Sequence, residues 1–148
     1  MGGEGDGGLR ARRPGTAPLG LAGRGPAADE ALAVLVRHEP GYVLVTVAGE
    51  VDYATVAGLR ERLFALAATG RALVVDLDLV SFIDAAGLGA LAGAARRAAA
   101  HGARLHVVCA RSHVGRLFRV TGLDQAIPLA GRLAEALREA AVANAKVS

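Results

Sequence analysis

Three runs rich in valine and leucine, YVLVTVAGEVD, ALVVDLDLV and ARLHVVCA, are each followed by a stretch whose apolar residues recur at helical spacing. This alternation limits the fold more than any other feature of the chain. The runs read as strands and the stretches between them as crossover helices, the pattern of an α/β sheet. An earlier run, ALAVLVRHE, is separated from YVLVTVAGEVD by Pro40-Gly41. That dipeptide is a turn signal and predicts a hairpin. Within YVLVTVAGEVD, Val43, Val45 and Val47 alternate with Tyr42, Leu44, Thr46 and Ala48, so one face is richer in valine than the other.

The helical segments carry their own punctuation. YATVAGLRERLFALAATG sets Val56, Leu59, Leu63 and Leu66 on one stripe, with an N-cap expected near Asp52 and a C-cap at Gly70. Gly87 to about His101 forms a second helix, with Leu88, Leu91, Ala95 and Ala98 or Ala99 facing the sheet. Asp84 is placed to cap it, which puts Ala85 and Ala86 in the first turn beside unpaired N–H groups. Ser112 is expected to cap a short helix through Val114, Leu117, Phe118 and Val120, closed by Gly122. Ile127-Pro128 suits a short edge strand, and GRLAEALREAAVANA a last helix with Leu133 and Leu137 one turn apart.

Composition enters where it excludes functions. The 148 residues suit one core, behind a Gly-, Pro-, Ala- and Arg-rich segment over 1–29 that is expected to be a disordered tail; the domain is expected over 30–144. A net charge of +3 comes from dispersed arginines and only 3% of residues are aromatic, so base-stacking platforms are lacking and no nucleic-acid partner is expected. No apolar run approaches the ~20 residues of a membrane span, and the N-terminus lacks a secretory pattern. The single cysteine, Cys109, packs as a small hydrophobe in a strand-like run, which fits a cytoplasmic protein.

Catalytic chemistry finds little footing. Asp76, Asp78 and Asp84 stand at or near strand ends, where a metal-dependent phosphoryl-transfer enzyme would gather its acids. Such a site also needs a neighbouring lysine or hydroxyl, and the only lysine, Lys146, lies in the C-terminal tail. His38, His101, His106 and His113 have no metal-binding spacing, and Ser81, Ser112 and Ser148 no nucleophile-elbow context. GLGALAG (87–93) lacks the order of a phosphate loop and reads as close helix packing. No metal and no cofactor is expected. There remains the helix start after Asp84: a hydroxyl there would be exposed, and a phosphate on it would sit against the helix terminus.

Four stretches resemble the STAS domain family, specifically bacterial anti-sigma factor antagonists. GEVDYAT (49–55) is similar to the family's G-E-[LIV]-D-x-x-T, and VVDLDLVSFIDAAGLGAL (74–91) to D-L-x-x-V-x-F-[IM]-D-S-[SA]-G-L. RSHVGRLFRVTGLD (111–124) and IPLAGRLAEAL come next in the expected order. The resemblance implies a mixed sheet of four to five strands with about four helices on one side, and a binding role without catalysis. The implied partner is an anti-sigma factor, often a serine kinase of the histidine-kinase-like ATPase fold, whose capture frees a sigma factor. In the family, phosphorylation of the serine after the signature aspartate abolishes binding. Here that position is Ala85, followed by Ala86, and neither can be phosphorylated. The implied contact surface comprises Glu50, Asp52 and Thr55 from one loop and Asp84, Ala85, Ala86, Gly87 and Leu88 from the other. Ser81, just before Phe82-Ile83, is expected to satisfy a turn and Thr55 to support the helix start, rather than to serve as substitute phosphosites. A STAS module of a signalling scaffold or transporter accessory subunit is the alternative role.

Overall fold

Five strands and four helices occupy residues 32–147, the part of the chain that the structure, a computed structural model, describes. The tail expected over 1–29 lies outside the described residues. In chain order the elements are β1 (Leu32–Glu39), β2 (Tyr42–Val51), α1 (Val56–Ala67), β3 (Leu73–Ile83) and α2 (Ala85–Ala100). Then come β4 (Leu105–Val108), α3 (Ser112–Thr121), a 3₁₀ turn (Leu123–Gln125), β5 (Leu129–Ala130) and α4 (Leu133–Val147).

The sheet order is β1-β2-β3-β4-β5. Pro40 and Gly41 close the expected hairpin, with Gly41 at φ 88°, where a side chain would be strained. The pairs β2–β3, β3–β4 and β4–β5 are all parallel, so the sheet is mixed. Parallel neighbours taken in sequence order by right-handed crossovers put α1, α2 and α3 on one face. On the strands, Val43, Val45 and Val47 are fully buried, as are Leu73 and Val75 beside them. The valine-rich side of β2 is therefore interior, as its alternation predicts.

The helices do not all lie on one side, however. Leu44, Val74, Val108 and Ala130, which alternate with those residues, pack with Ala136 and Ala140 of α4, flanked by Leu133 and Leu137. As the last element α4 is not a crossover, and its two alanines let it lie close on the second face.

Several boundaries move for local reasons. Helix α1 starts at Val56 with Thr55 as its N-cap residue, rather than at Asp52, and its C-cap is Ala68, two residues before Gly70. Helix α2 turns Ala94 and Ala98 inward while Ala95 is half-buried and Ala99 exposed. Its Gly93 accommodates Phe64 of α1, since a Cβ there would stand 2.8 Å from the ring. Arg111, not Ser112, is the N-cap residue of α3, and Val120 points to solvent. The edge strand falls at Leu129–Ala130; Ile127 is buried, and the Pro128 carbonyl accepts from Val107 N–H before pairing formally begins. Cys109 lies one residue past β4, buried, with burial pushing its thiol up.

One interior residue breaks the apolar pattern. His106 on β4 is 2% exposed, and neither ring nitrogen has a hydrogen-bond partner among the described residues. Its Nδ1 stands 3.9 Å from Glu139 Oε1, too far for a hydrogen bond, and that glutamate is itself largely solvated. Burial first, and then Arg104, hold the imidazole below its ordinary 6.5. Unfolding restores that ordinary value, so the unfolded chain takes up a proton that the fold refuses. Stability should be independent of His106 above pH 6.5 and should fall as pH drops below it. His106→Leu should remove this acid limb and raise stability at pH 7 by about 1–2 kcal/mol, because two unpartnered polar atoms leave the interior. Urea denaturation of both proteins at pH 5 and pH 7 measures this; a less stable leucine variant at both would contradict it.

Candidate functional site

The site forms where β2 and β3 end side by side, with Val51 paired to Ile83 and Asp84 N–H donating to the Val51 carbonyl. Two irregularities in β3 precede it. Thr46 pairs with Asp76 but Ala48 with Leu79, and Gly49 pairs with Val80 but Glu50 with Phe82. Each adds one residue to β3, which twists the strand and re-aims the residues beyond it. At the first, the Asp76 side chain accepts the N–H of Asp78 at 2.9 Å. At the second, Ser81 Oγ donates to the Gly49 carbonyl at 3.3 Å. Ser81, expected to satisfy a turn, thus lies on the bulged strand.

Asp84 joins the two loops. Its Oδ1 accepts from Ala86 N–H at 3.0 Å and Gly87 N–H at 3.1 Å, the N-cap predicted for α2. Its Oδ2 accepts from Tyr53 N–H at 3.2 Å, across 31 residues of sequence. Asp52 Oδ1 organises the facing loop by accepting from Ala54 and Thr55 N–H, both at 3.0 Å. Thr55 Oγ1 donates to the Glu50 carbonyl at 2.8 Å and accepts from Asp52 N–H at 3.0 Å. Asp52 and Thr55 therefore support the helix start as a linked turn. Asp52 is not the N-cap of α1.

The expected contact residues divide into two groups. Glu50 and Ala85 are exposed, and Asp52, Thr55, Asp84 and Ala86 half-buried. Gly87 and Leu88 are buried and leave the surface, a correction with a plain cause: the α2 cap turns them onto the strands. A Cβ on Gly87 would stand 2.6 Å from Val51 Cγ1 and 2.7 Å from Ile83 Cγ1. Sequence reasoning missed two aromatic residues, Tyr53 at 86% exposure and Phe82 at 49%. Their signal was present, since an aromatic between Asp52 and Thr55 belongs to no apolar stripe. The surface is thus apolar at Tyr53 and Phe82, acidic at Glu50, Asp52 and Asp84, and small at Ala85.

Asp76 and Asp78 serve elsewhere. Asp78 Oδ1 accepts from Ala110 N–H at 2.7 Å and its carbonyl from Arg111 Nε at 2.7 Å, bracing the loop after β4. Burial is the main cause that raises the Asp76 carboxyl above its ordinary value. The bulge separates their tasks, and they do not converge with Asp84. Among the described residues no three His, Cys, Asp or Glu side chains gather as a metal site. No helix among them is long and apolar enough to cross a membrane.

A five-stranded mixed sheet whose third strand ends in a capped helix start is the architecture of the STAS domain, and a model of that family matches residues 33–139. The chain belongs to the STAS domain family. It is 32% identical over 97 residues to the anti-sigma-B factor antagonist of Bacillus subtilis (strain 168), covering 66% of this chain and 89% of that protein. Among solved structures, an anti-sigma factor antagonist from Mycobacterium paratuberculosis superposes with a TM-score of 0.70 at 32% identity, over 78% of this chain and 97% of that one. The anti-sigma factor antagonist SpoIIAA in its unphosphorylated form shares the fold, with a TM-score of 0.61 at 22% identity over 72% and 95% of the two chains.

Asp84→Ala should lose all three acceptor bonds and destabilise the domain by about 1–2 kcal/mol. Asp84→Asn keeps one acceptor oxygen and should fall between. Gly87→Ala should cost about 1–3 kcal/mol by overpacking Val51 and Ile83. Chemical denaturation measures all three, and an alanine at 84 without effect would refute the cap.

Proposed function

We propose that this chain is a binding module that holds an anti-sigma factor, a serine kinase of the histidine-kinase-like ATPase fold, and so regulates sigma-factor-dependent transcription. It works without catalysis of its own. Family membership and the relatives' character as anti-sigma factor antagonists support the partner class. The observation that carries the reading is the exposed Ala85 in the first turn of α2, directly after the Asp84 that ties the facing loop. A methyl group lets a partner approach the helix terminus closely, and the acidic and aromatic residues around it supply hydrogen-bond acceptors and apolar area.

The same position makes the module constitutive. Ala85 offers no oxygen for phosphoryl transfer. Thr55 is half-buried with its hydroxyl directed to the Glu50 carbonyl, and Ser81 sits on the bulge with its hydroxyl toward Gly49. Neither replaces a hydroxyl at the helix start.

Ala85→Asp should weaken binding by about 30-fold or more, because it adds negative charge beside Asp84 and Glu50 within the contact. Ala85→Ser should bind as the parent does and gain phosphate when incubated with the partner kinase and ATP. Calorimetry and intact-mass spectrometry on the purified pair read both results. Unchanged affinity for Ala85→Asp would remove this surface from the interface, and phosphate on the unaltered chain at Thr55 or Ser81 would contradict the constitutive reading.

A further inference from the structure

At the opposite end of the strands, where β3 and β4 begin, a cleft of about 980 Å³ opens between the sheet and the second half of α4. Its size lies within the roughly 300–1,000 Å³ range of small-molecule sites. His106 lines it, nine-tenths buried and more, with both ring nitrogens unpartnered among the described residues. An aliphatic side chain would satisfy the packing of this strand position, as Val74 and Val108 do beside it. A buried imidazole without a partner is the sort of group that a ligand completes.

The remaining lining tells what that ligand carries. Ala72, Pro128, Ala143 and the 55%-exposed Val142 give apolar walls. Four charged residues stand around them: Glu135 is engaged, accepting from Gly131 N–H at 3.2 Å, whereas Glu139 lies 3.9 Å from His106 Nδ1, beyond hydrogen-bond reach. The side chains of Arg104 and Arg138 are exposed and form no hydrogen bond or ion pair with a described residue. The unpaired side-chain charge at the cleft is thus two arginines against Glu139, a cationic excess.

We propose that this cleft binds a small carboxylic acid with an apolar body, its carboxylate neutralised by Arg104 and Arg138 and accepting a hydrogen bond from the His106 ring, its body against Val142 and Pro128. Arginine suits this task because its planar fork matches a carboxylate. Glu139 works against the ligand's charge and sets its affinity from the other side of the ring.

The test is titration of the full chain, monitored by ¹H–¹⁵N chemical shifts, with hexanoate and benzoate as probes. Hexylamine and inorganic phosphate are the controls. Saturable shifts confined to residues 102–108 and α4, given by hexanoate or benzoate and by neither control, are the expected result. Arg104→Gln with Arg138→Gln should weaken binding about tenfold, and His106→Leu should weaken it while the domain stays folded. Glu139→Gln should tighten it. Absence of saturable binding by both acids overturns the proposal. So does equal binding of hexylamine, which makes the cleft merely greasy, or of phosphate, which makes it a plain anion patch.

Discussion

The carboxylate of Asp84 accepts three backbone N–H groups from two segments that are far apart in sequence, and the end of the domain where β2 and β3 terminate depends on it. One oxygen answers orphan donors at the start of α2 and the other holds the loop that leads into α1. Without that tie the turn organised by Asp52 and Thr55 would be fixed to its own strand only. With it, the Tyr53 backbone and the start of α2 are bound to one carboxylate. Gly87 makes the geometry possible from below, since the helix can approach Val51 and Ile83 only where there is no side chain.

The sheet beneath this surface has two faces with different duties. Its valine-rich face is buried along the crossovers, and its other face is closed by α4 only over the part where alanines permit close approach. Beside those alanines the helix carries Glu135, Arg138 and Glu139, and the strand below offers His106 rather than an aliphatic residue. Polarity on both sides of that gap keeps it from closing as a core. The two ends of β3 thus differ, one carrying the loops tied by Asp84 and the other opening on a cleft.

Strand and helix order was legible because each apolar run has the right length and each break is marked, by Pro40-Gly41, Gly70, Gly102 or Gly122. The Asp84 cap was legible too, as an acid directly before a helical pattern. Its second bond, to Tyr53 N–H, was not, because nothing local specifies which backbone group lies across 31 residues. The bulges at Asp78 and Ser81 were hidden for a related reason: alternation in β3 survives when one residue is added, and only pairing with β2 exposes the addition. Gly87 and Leu88 looked accessible because they come just after the cap, yet the first inward-facing turn of a helix begins there. The place of α4 on the second face was likewise silent in a pattern that reports amphipathicity but not which side receives it.

The central claim is that the surface tied together by Asp84 is where an anti-sigma factor docks. Hydrogen–deuterium exchange on the chain alone and saturated with that partner tests it most directly. Slowed exchange should concentrate in residues 50–55 and 82–88 and leave the second half of α4 unchanged. Protection confined to α4 and the start of β4, with the Asp84 loops exchanging as they do in the free chain, would contradict it.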